Sequence, residues 1–201
     1  EKHYLVTGFD KKKEKINNLK LFYDETKEVL KKDLKNAKNI DFTHNYKDIA
    51  SSNVYIICVP TPLKNNNTPD LSSLKNACLL VSKCLKKNDL VIFESTVYPG
   101  VTEEICIPII EKKTKLKCNR DFLVGYSPER VNPGDKFHRI NNTIKVTSGS
   151  NTKALEMVDK LYKKIVKEGT HKVSSIKVAE AAKIIENTQR DLNIAYINEL
   201  S

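Results

Sequence analysis

Between Ser175 and Leu200 apolar residues recur at helical spacing: Ile176, Ala179, Ala182, Ile185, Leu192, Ala195 and Tyr196. Positions three and four apart share a helix face, so the pattern predicts one long helix with a buried stripe. No Gly or Pro interrupts it, and Ser175 stands where an N-cap hydroxyl would meet a free backbone amide. Lys183, Asn187 and Asp191 fall four apart along a polar file, with Arg190 beside it. Asn disfavours helix interiors because its amide competes for the backbone. Asn187 therefore marks either a solvated face or one wall of a site.

Upstream, short apolar runs alternate with amphipathic ones. His3–Phe9, Asn39–Thr43, Asn53–Val59, Asp89–Phe93, Asp121–Gly125 and Thr143–Thr147 read as strands, the last closing the sheet. Asn53–Val59 is apolar without interruption, as suits a parallel strand buried on both faces. The lysine-rich run after Asp10, Phe22–Asn39, Asp70–Leu85, Thr102–Lys112 and Ser150–Lys167 read as helices. Pro108 is expected to kink or shorten the fourth of these. Such alternation predicts an α/β fold, a doubly wound, mostly parallel Rossmann-like sheet with its first strand missing, followed by the start of an α-helical central domain. The division expected is residues 1–149 for a dinucleotide-binding domain and 150–201 for a linker helix and the beginning of the helical domain.

Composition narrows the class. With 201 residues, 39% apolar and 30% charged, the chain has ordinary globular proportions. No run of about 18 apolar residues is present, so no membrane span is expected. The five cysteines (Cys58, Cys78, Cys84, Cys106, Cys118) are odd in number, lack metal-ligand spacing and sit mostly in apolar segments, as expected of reduced cytoplasmic thiols. No metal site is expected. A net charge of +10 invites a nucleic-acid reading. However, the lysines are spread over helices without interleaved aromatics, and the only arginines are Arg120, Arg130, Arg139 and Arg190. No nucleic-acid partner is expected; an anionic small molecule would gain from the same field.

Candidate chemistry gathers at the ends of strands. Asp10 ends the first strand just before a helix, where a Rossmann fold holds the ribose diol of an adenosine; its charge would repel a 2′-phosphate. The later strands break at Pro60-Thr61-Pro62, at Glu94-Ser95-Thr96-Val97-Tyr98-Pro99-Gly100 and at Tyr126-Ser127-Pro128-Glu129-Arg130-Val131-Asn132-Pro133-Gly134. Ligands of open α/β sheets lie outside such carboxyl ends. Glu129 and Arg130, between two prolines, suit either a surface turn or a rigid substrate loop.

VPTP at Val59–Pro62, ESTVYPGVTEE at Glu94–Glu104, YSPERVNPGDK at Tyr126–Lys136 and VAEAAKIIENTQRDLNIAYINEL at Val178–Leu200 stand in one collinear order. Together with Asp10 they resemble the UDP-glucose/GDP-mannose dehydrogenase family. Within it the chain is most similar to the UDP-N-acetylhexosamine 6-dehydrogenases, especially the Vi-polysaccharide type acting on UDP-N-acetylglucosamine. The resemblance implies oxidation of a sugar 6-hydroxymethyl to a carboxylate with two NAD⁺, in the synthesis of surface polysaccharides such as capsule or O-antigen. It implies that Asp10 and Lys15 hold the adenosine end of NAD, with Thr61 and Thr96 along the cofactor. Glu129, Arg130 and Val131 would line the UDP-sugar site, Glu129 as partner of a catalytic water. Lys183 would stabilise a developing oxyanion or relay a proton. Asn187 and Arg190 would complete the substrate contacts.

The departures from the family pattern also count. Its glycine-rich NAD loop would precede Glu1, and its thiol nucleophile, in a Gly-Gly-His-Cys segment, would follow Ser201. This stretch alone is therefore expected to be inactive. Where glucose-oxidising relatives carry a second Glu after the first, this sequence has Pro133, which favours an N-acetylated sugar. A homodimer through the long helix is expected. The alternative is a non-catalytic dinucleotide- or nucleic-acid-binding module of the same fold.

Overall fold

The computed structural model describes residues 1–129 and 143–201. These form two compact units, Glu1–Ser52 and Asn53–Ser201. In the first, β1 (Val6–Phe9) pairs in parallel with β2 (Ile40–Thr43), Val6 opposite Ile40. The crossover carries α1 (Lys13–Lys20) and α2 (Lys31–Asn36), which bury Ile16 and Leu34. The helix expected over Phe22–Asn39 is thus confined to six residues of its second half, Lys31–Asn36. Phe22 and Lys27 turn left-handed at φ 59° and 58°, and the Asp24 carboxylate accepts from the amides of Thr26, Glu28 and Val29. A side chain that collects three backbone donors offers the chain an alternative to the helix, and here it prevails.

The second unit is a five-stranded sheet, β3 (Val54–Ile57), β4 (Leu90–Phe93), β5 (Leu123–Tyr126), β6 (Lys145–Gly149) and β7 (Thr170–Lys172), in sequence order. The first three run parallel; β6 is antiparallel to β5, and β7 is parallel to β6. The fold class read from the sequence holds, mostly parallel strands included. The edge differs, because β7 and not the Thr143–Thr147 segment closes the sheet. Its three residues, Thr170, His171 and Lys172, carry no apolar signal and are a strand only through pairing with β6.

Every residue of β4 is buried. Neighbouring side chains on a strand point to opposite faces, so both faces are covered. On one, Leu90, Ile92 and Leu123 meet Ala154, Val158 and Tyr162 of α5 (Thr152–Lys163). Each such aliphatic side chain contributes about 1.5–3 kcal/mol on burial. α3 (Ser72–Val81) packs on β3 and on α4 (Ile107–Thr114). The proline expected to disturb the helix after Gly100 is accommodated by a wide π turn, Thr102–Cys106, that precedes α4 and leaves Pro108 in its first turn. The wide turn thus stands where the helical ladder lacks this N–H.

α6 spans Ile176–Leu200, and Ser175 caps it as expected, its hydroxyl accepting from Val178 N at 3.3 Å. Ile176 and Ala179 are buried against the unit, but the rest of the expected buried stripe is not. Ile185, Leu192 and Tyr196 are 66, 60 and 65% exposed. α6 meets β5 and β6, and its buried residues all lie in its first two turns, so its second half has no partner surface among the described residues. None of the described helices is long and apolar enough to cross a membrane.

The end of β6 and the start of α5 approach so closely that a Cβ on Gly149 would lie 2.2 Å from Leu155 N. Backbone cannot yield as a flexible side chain does. Gly149→Ala is expected to cost about 1–3 kcal/mol, read as a lower urea midpoint at unchanged slope.

Candidate functional site

The register of β3, β4 and β5 sets Ile57, Phe93 and Tyr126 side by side, so the three turns that follow leave the sheet at one level. They are sewn together. Ser95 Oγ donates to Val59 O at 2.7 Å, Thr61 Oγ1 donates to Thr96 O, and Tyr126 OH donates to Ser95 O at 3.2 Å. Thr61 and Thr96, each expected to lie along a cofactor, are thus in direct contact. Glu129 follows the third turn, partly buried. Arg130 and Val131 lie outside the described residues.

Beneath these turns is a charge cluster that the sequence reading did not single out. Glu94, next after β4, pairs with Lys145 of β6 at 3.1 Å, with side-chain exposures of 11 and 2%. Tyr162 of α5 donates its hydroxyl to the same carboxylate oxygen, and Cys58 Sγ donates to the other at 3.3 Å. The Lys145 ammonium also donates to Pro128 O at 3.2 Å and stands 4.8 Å from the centre of the Tyr162 ring. Burial first, then the Glu94 carboxylate, pushes the Tyr162 phenol well above its ordinary value, and Glu129 adds to the push. The Cys58 residue reaches solvent, yet its thiol is raised by local desolvation and then by Glu94. It is the reverse of an activated nucleophile. The remaining cysteines are free thiols too, with Cys78, Cys84 and Cys106 buried.

α6 is fastened to the neighbouring turn by a second buried carboxylate. Glu180, fully buried, accepts from Gly100 N at 2.6 Å and Thr102 N at 3.0 Å. Gly100 has φ +100°, and a Cβ there would meet the Glu104 carboxylate at 2.9 Å, so glycine suits this turn. Desolvation raises the Glu180 carboxyl, partly offset by the Thr102 side chain and the two amides. One turn on, Lys183 is partly buried, whereas Asn187 is exposed. Arg190 is exposed and pairs with Glu186 at 3.0 Å. An open groove of about 700 Å³ beside the second half of α6 takes in Arg190 with Glu186, Gln189 and Asn193, but neither Lys183 nor Asn187.

In the first unit, Asp10 Oδ1 accepts from Lys12 N and Oδ2 from the Lys15 ammonium, both at 2.9 Å. Burial works to raise Asp10, but these donors outweigh it and the carboxyl titrates below its usual range. The arrangement suits the ribose diol of NAD: an ionised acceptor at a strand tip, each oxygen with a lone pair left. Lys15 is committed to Asp10, which leaves it poorly placed to hold a 2′-phosphate.

Of the residues missed, Glu180 and Lys145 left readable traces. Glu180 lies four residues after Ile176, on the buried face of α6. Lys145 interrupts a β-branched run between Ile144 and Val146. Tyr162 left none beyond belonging to an apolar helix face.

Parallel strands with joined carboxyl-end turns, and an acidic residue after β1, define a dinucleotide-binding α/β chain. Residues 1–166 match the UDP-glucose/GDP-mannose dehydrogenase family, NAD binding domain, and the chain belongs to that family. It is 55% identical over 196 residues to the UDP-N-acetyl-D-glucosamine 6-dehydrogenase of Pseudomonas aeruginosa, covering 98% of this chain and 46% of that protein. The enzyme of the same name from Salmonella typhi is 50% identical over the same coverage. Among solved structures, a UDP-D-ManNAc dehydrogenase from Pyrococcus horikoshii superposes with a TM-score of 0.87 at 34% identity, over 98% of this chain and 47% of that one. The chain thus spans about half the length of the relatives it matches.

The Glu180 carboxyl is held above 4.5 in the folded chain, so the folded state keeps this proton more firmly than the unfolded one. The stabilisation it brings is complete below that pH and is lost as pH rises through the raised value. Glu180→Gln should remove this slope: in urea titrations the wild type loses stability relative to the variant as pH rises from the ordinary carboxylate value through the raised one. Glu180→Ala should cost about 1–3 kcal/mol for each amide left without an acceptor.

Proposed function

We propose that the complete protein is an NAD-dependent nucleotide-sugar 6-dehydrogenase. It oxidises the 6-hydroxymethyl of a UDP-N-acetylhexosamine, foremost UDP-N-acetylglucosamine, to the uronic acid used in surface polysaccharides. What carries this reading is the identity, at half of all positions or more and over nearly the whole chain, to two UDP-N-acetyl-D-glucosamine 6-dehydrogenases.

The roles follow from the chemistry of each side chain. Asp10 and Lys15 hold the adenosine ribose, and the linked Thr61 and Thr96 flank the cofactor. NAD, when bound, takes up a hydride in each of the two oxidations. Lys183 offers an ammonium to the alkoxide that forms as the alcohol loses its proton. Glu129 orients the water whose oxygen enters the carboxylate. Asn187, Arg190, Arg130 and Val131 complete the sugar-nucleotide site, the arginines suiting its phosphates. Such a reaction belongs in the cytoplasm, with which the free thiols agree.

Steady-state assays of the full-length protein against a panel of UDP-sugars should give NADH only with N-acetylhexosamines. Lys183→Ala should lose most of the turnover, roughly 10²–10³-fold, while its circular dichroism stays that of the wild type. Unimpaired turnover in that variant would remove Lys183 from the mechanism.

We further propose that a second copy covers the exposed stripe of α6, making a homodimer. The support is the row of Ile185, Leu192 and Tyr196 at helical spacing, each more than half exposed. Leu192→Glu in the full-length protein should halve the mass seen by sedimentation. A dimer unaffected by the change would assign this face to the remainder of the polypeptide.

A further inference from the structure

A buried ion pair is a poor device for stability alone, because well-packed apolar residues of the same volume often serve as well or better. The pairing of Glu94 with Lys145 therefore calls for another reason. Lys145 has three N–H donors. One meets Glu94 Oε1, one meets Pro128 O, and the Tyr162 ring covers the remaining side of the ammonium. Pro128 O is the carbonyl of the peptide that leads into Glu129. A peptide group is planar, and none among the described residues is cis, so fixing this oxygen fixes the direction of the Glu129 amide and the departure of its Cα.

The residue before is held as firmly. Ser127 N donates to Phe93 O at 2.9 Å, and its hydroxyl donates to Val146 O at 2.7 Å. The antiparallel pairing of Tyr126 with Ser148 brings β6 alongside the same segment.

We propose that Lys145 is the positioning residue of Glu129: its buried ammonium, anchored on Glu94 and Tyr162, holds the Pro128 carbonyl and so aims the glutamate. The assignment rests on the role given to Glu129 above. Glu94 is the anchor and Lys145 the tether. Neither need touch substrate, and removal of the tether leaves Asp10 and Lys15 unchanged.

The test uses the full-length protein. Lys145→Met strands the Glu94 charge and risks folding, so Lys145→Met with Glu94→Gln is its companion. Gln keeps an acceptor for Tyr162 while both charges leave. In either variant kcat should fall by roughly 10²-fold, as a misaimed group implies, with the KM for the nucleotide sugar and the affinity for NAD little changed. Lys145→Arg should recover part of the loss. Hydrogen exchange should show lost protection in the peptide that spans Tyr126–Glu129. Unaltered kcat in the double variant, a rise in KM alone, or unchanged exchange at Tyr126–Glu129 would each overturn the proposal. Should the wild type oxidise no nucleotide sugar, the functional reading fails, and the exchange measurement still decides whether Lys145 holds this segment.

Discussion

The contact on which the second unit's candidate site depends is the Glu180 carboxylate against the amides of Gly100 and Thr102. It joins the first turns of α6 to the turn after β4, two segments eighty residues apart in sequence. Backbone donors at the head of a helix need acceptors. Here the acceptor comes from another helix, so satisfying them also fixes where that helix starts. Everything α6 carries, Lys183 first, inherits its position from this bond. The further a residue lies from Glu180 along α6, the less the unit constrains it: Ala179 is buried, Lys183 partly so and Asn187 exposed.

Two buried carboxylates in one small unit have met the cost of burial differently. Glu180 leans on neutral donors and is left with a raised affinity for its proton. Glu94 has an ammonium, a phenol and a thiol around it. The first arrangement suits a structural clasp that tolerates some protonation. The second ties β6 and α5 to the end of β4 through one side chain. Both stand at the carboxyl side of β4, where the strand leaves the core and the turn begins.

The sheet was legible where its strands are apolar throughout, in β3 and β4, although β3 edges the five-stranded sheet and leaves Ile56 44% exposed, so it is not buried on both faces as expected. The β3 and β4 segments read as strands from composition alone, and all four residues of β4 are buried. Ser175 was legible as a cap because capping is local chemistry. What was not legible depends on partners distant in sequence. β7 is Thr-His-Lys, and nothing in those three residues separates an edge strand from a loop. The Phe22–Asn39 segment has helical composition, but the Asp24 side chain diverts it. The apolar spacing of α6 reported that a stripe needs cover; it could not report that the cover is not supplied by the described residues. Of the proposed site, Thr61, Thr96 and Asp10 were put forward by the family resemblance and by their places at strand ends. The ion cluster was hidden because a lysine in a strand reads as solvent-facing, and only the packed α5 shows that Lys145 faces inward.

The reversed direction of β6 has a consequence for how this sequence can change. In a parallel arrangement the first residue of a strand lies at the edge opposite the ligand; running backwards beside β5, β6 begins at the working edge. Side chains alternate along it with a period of two, so one residue added or lost between Lys145 and Ser148 would exchange its faces. The ammonium would swing outward and an aliphatic neighbour would take its berth. Drift in length should therefore be forbidden across these four positions, even where drift in identity is allowed.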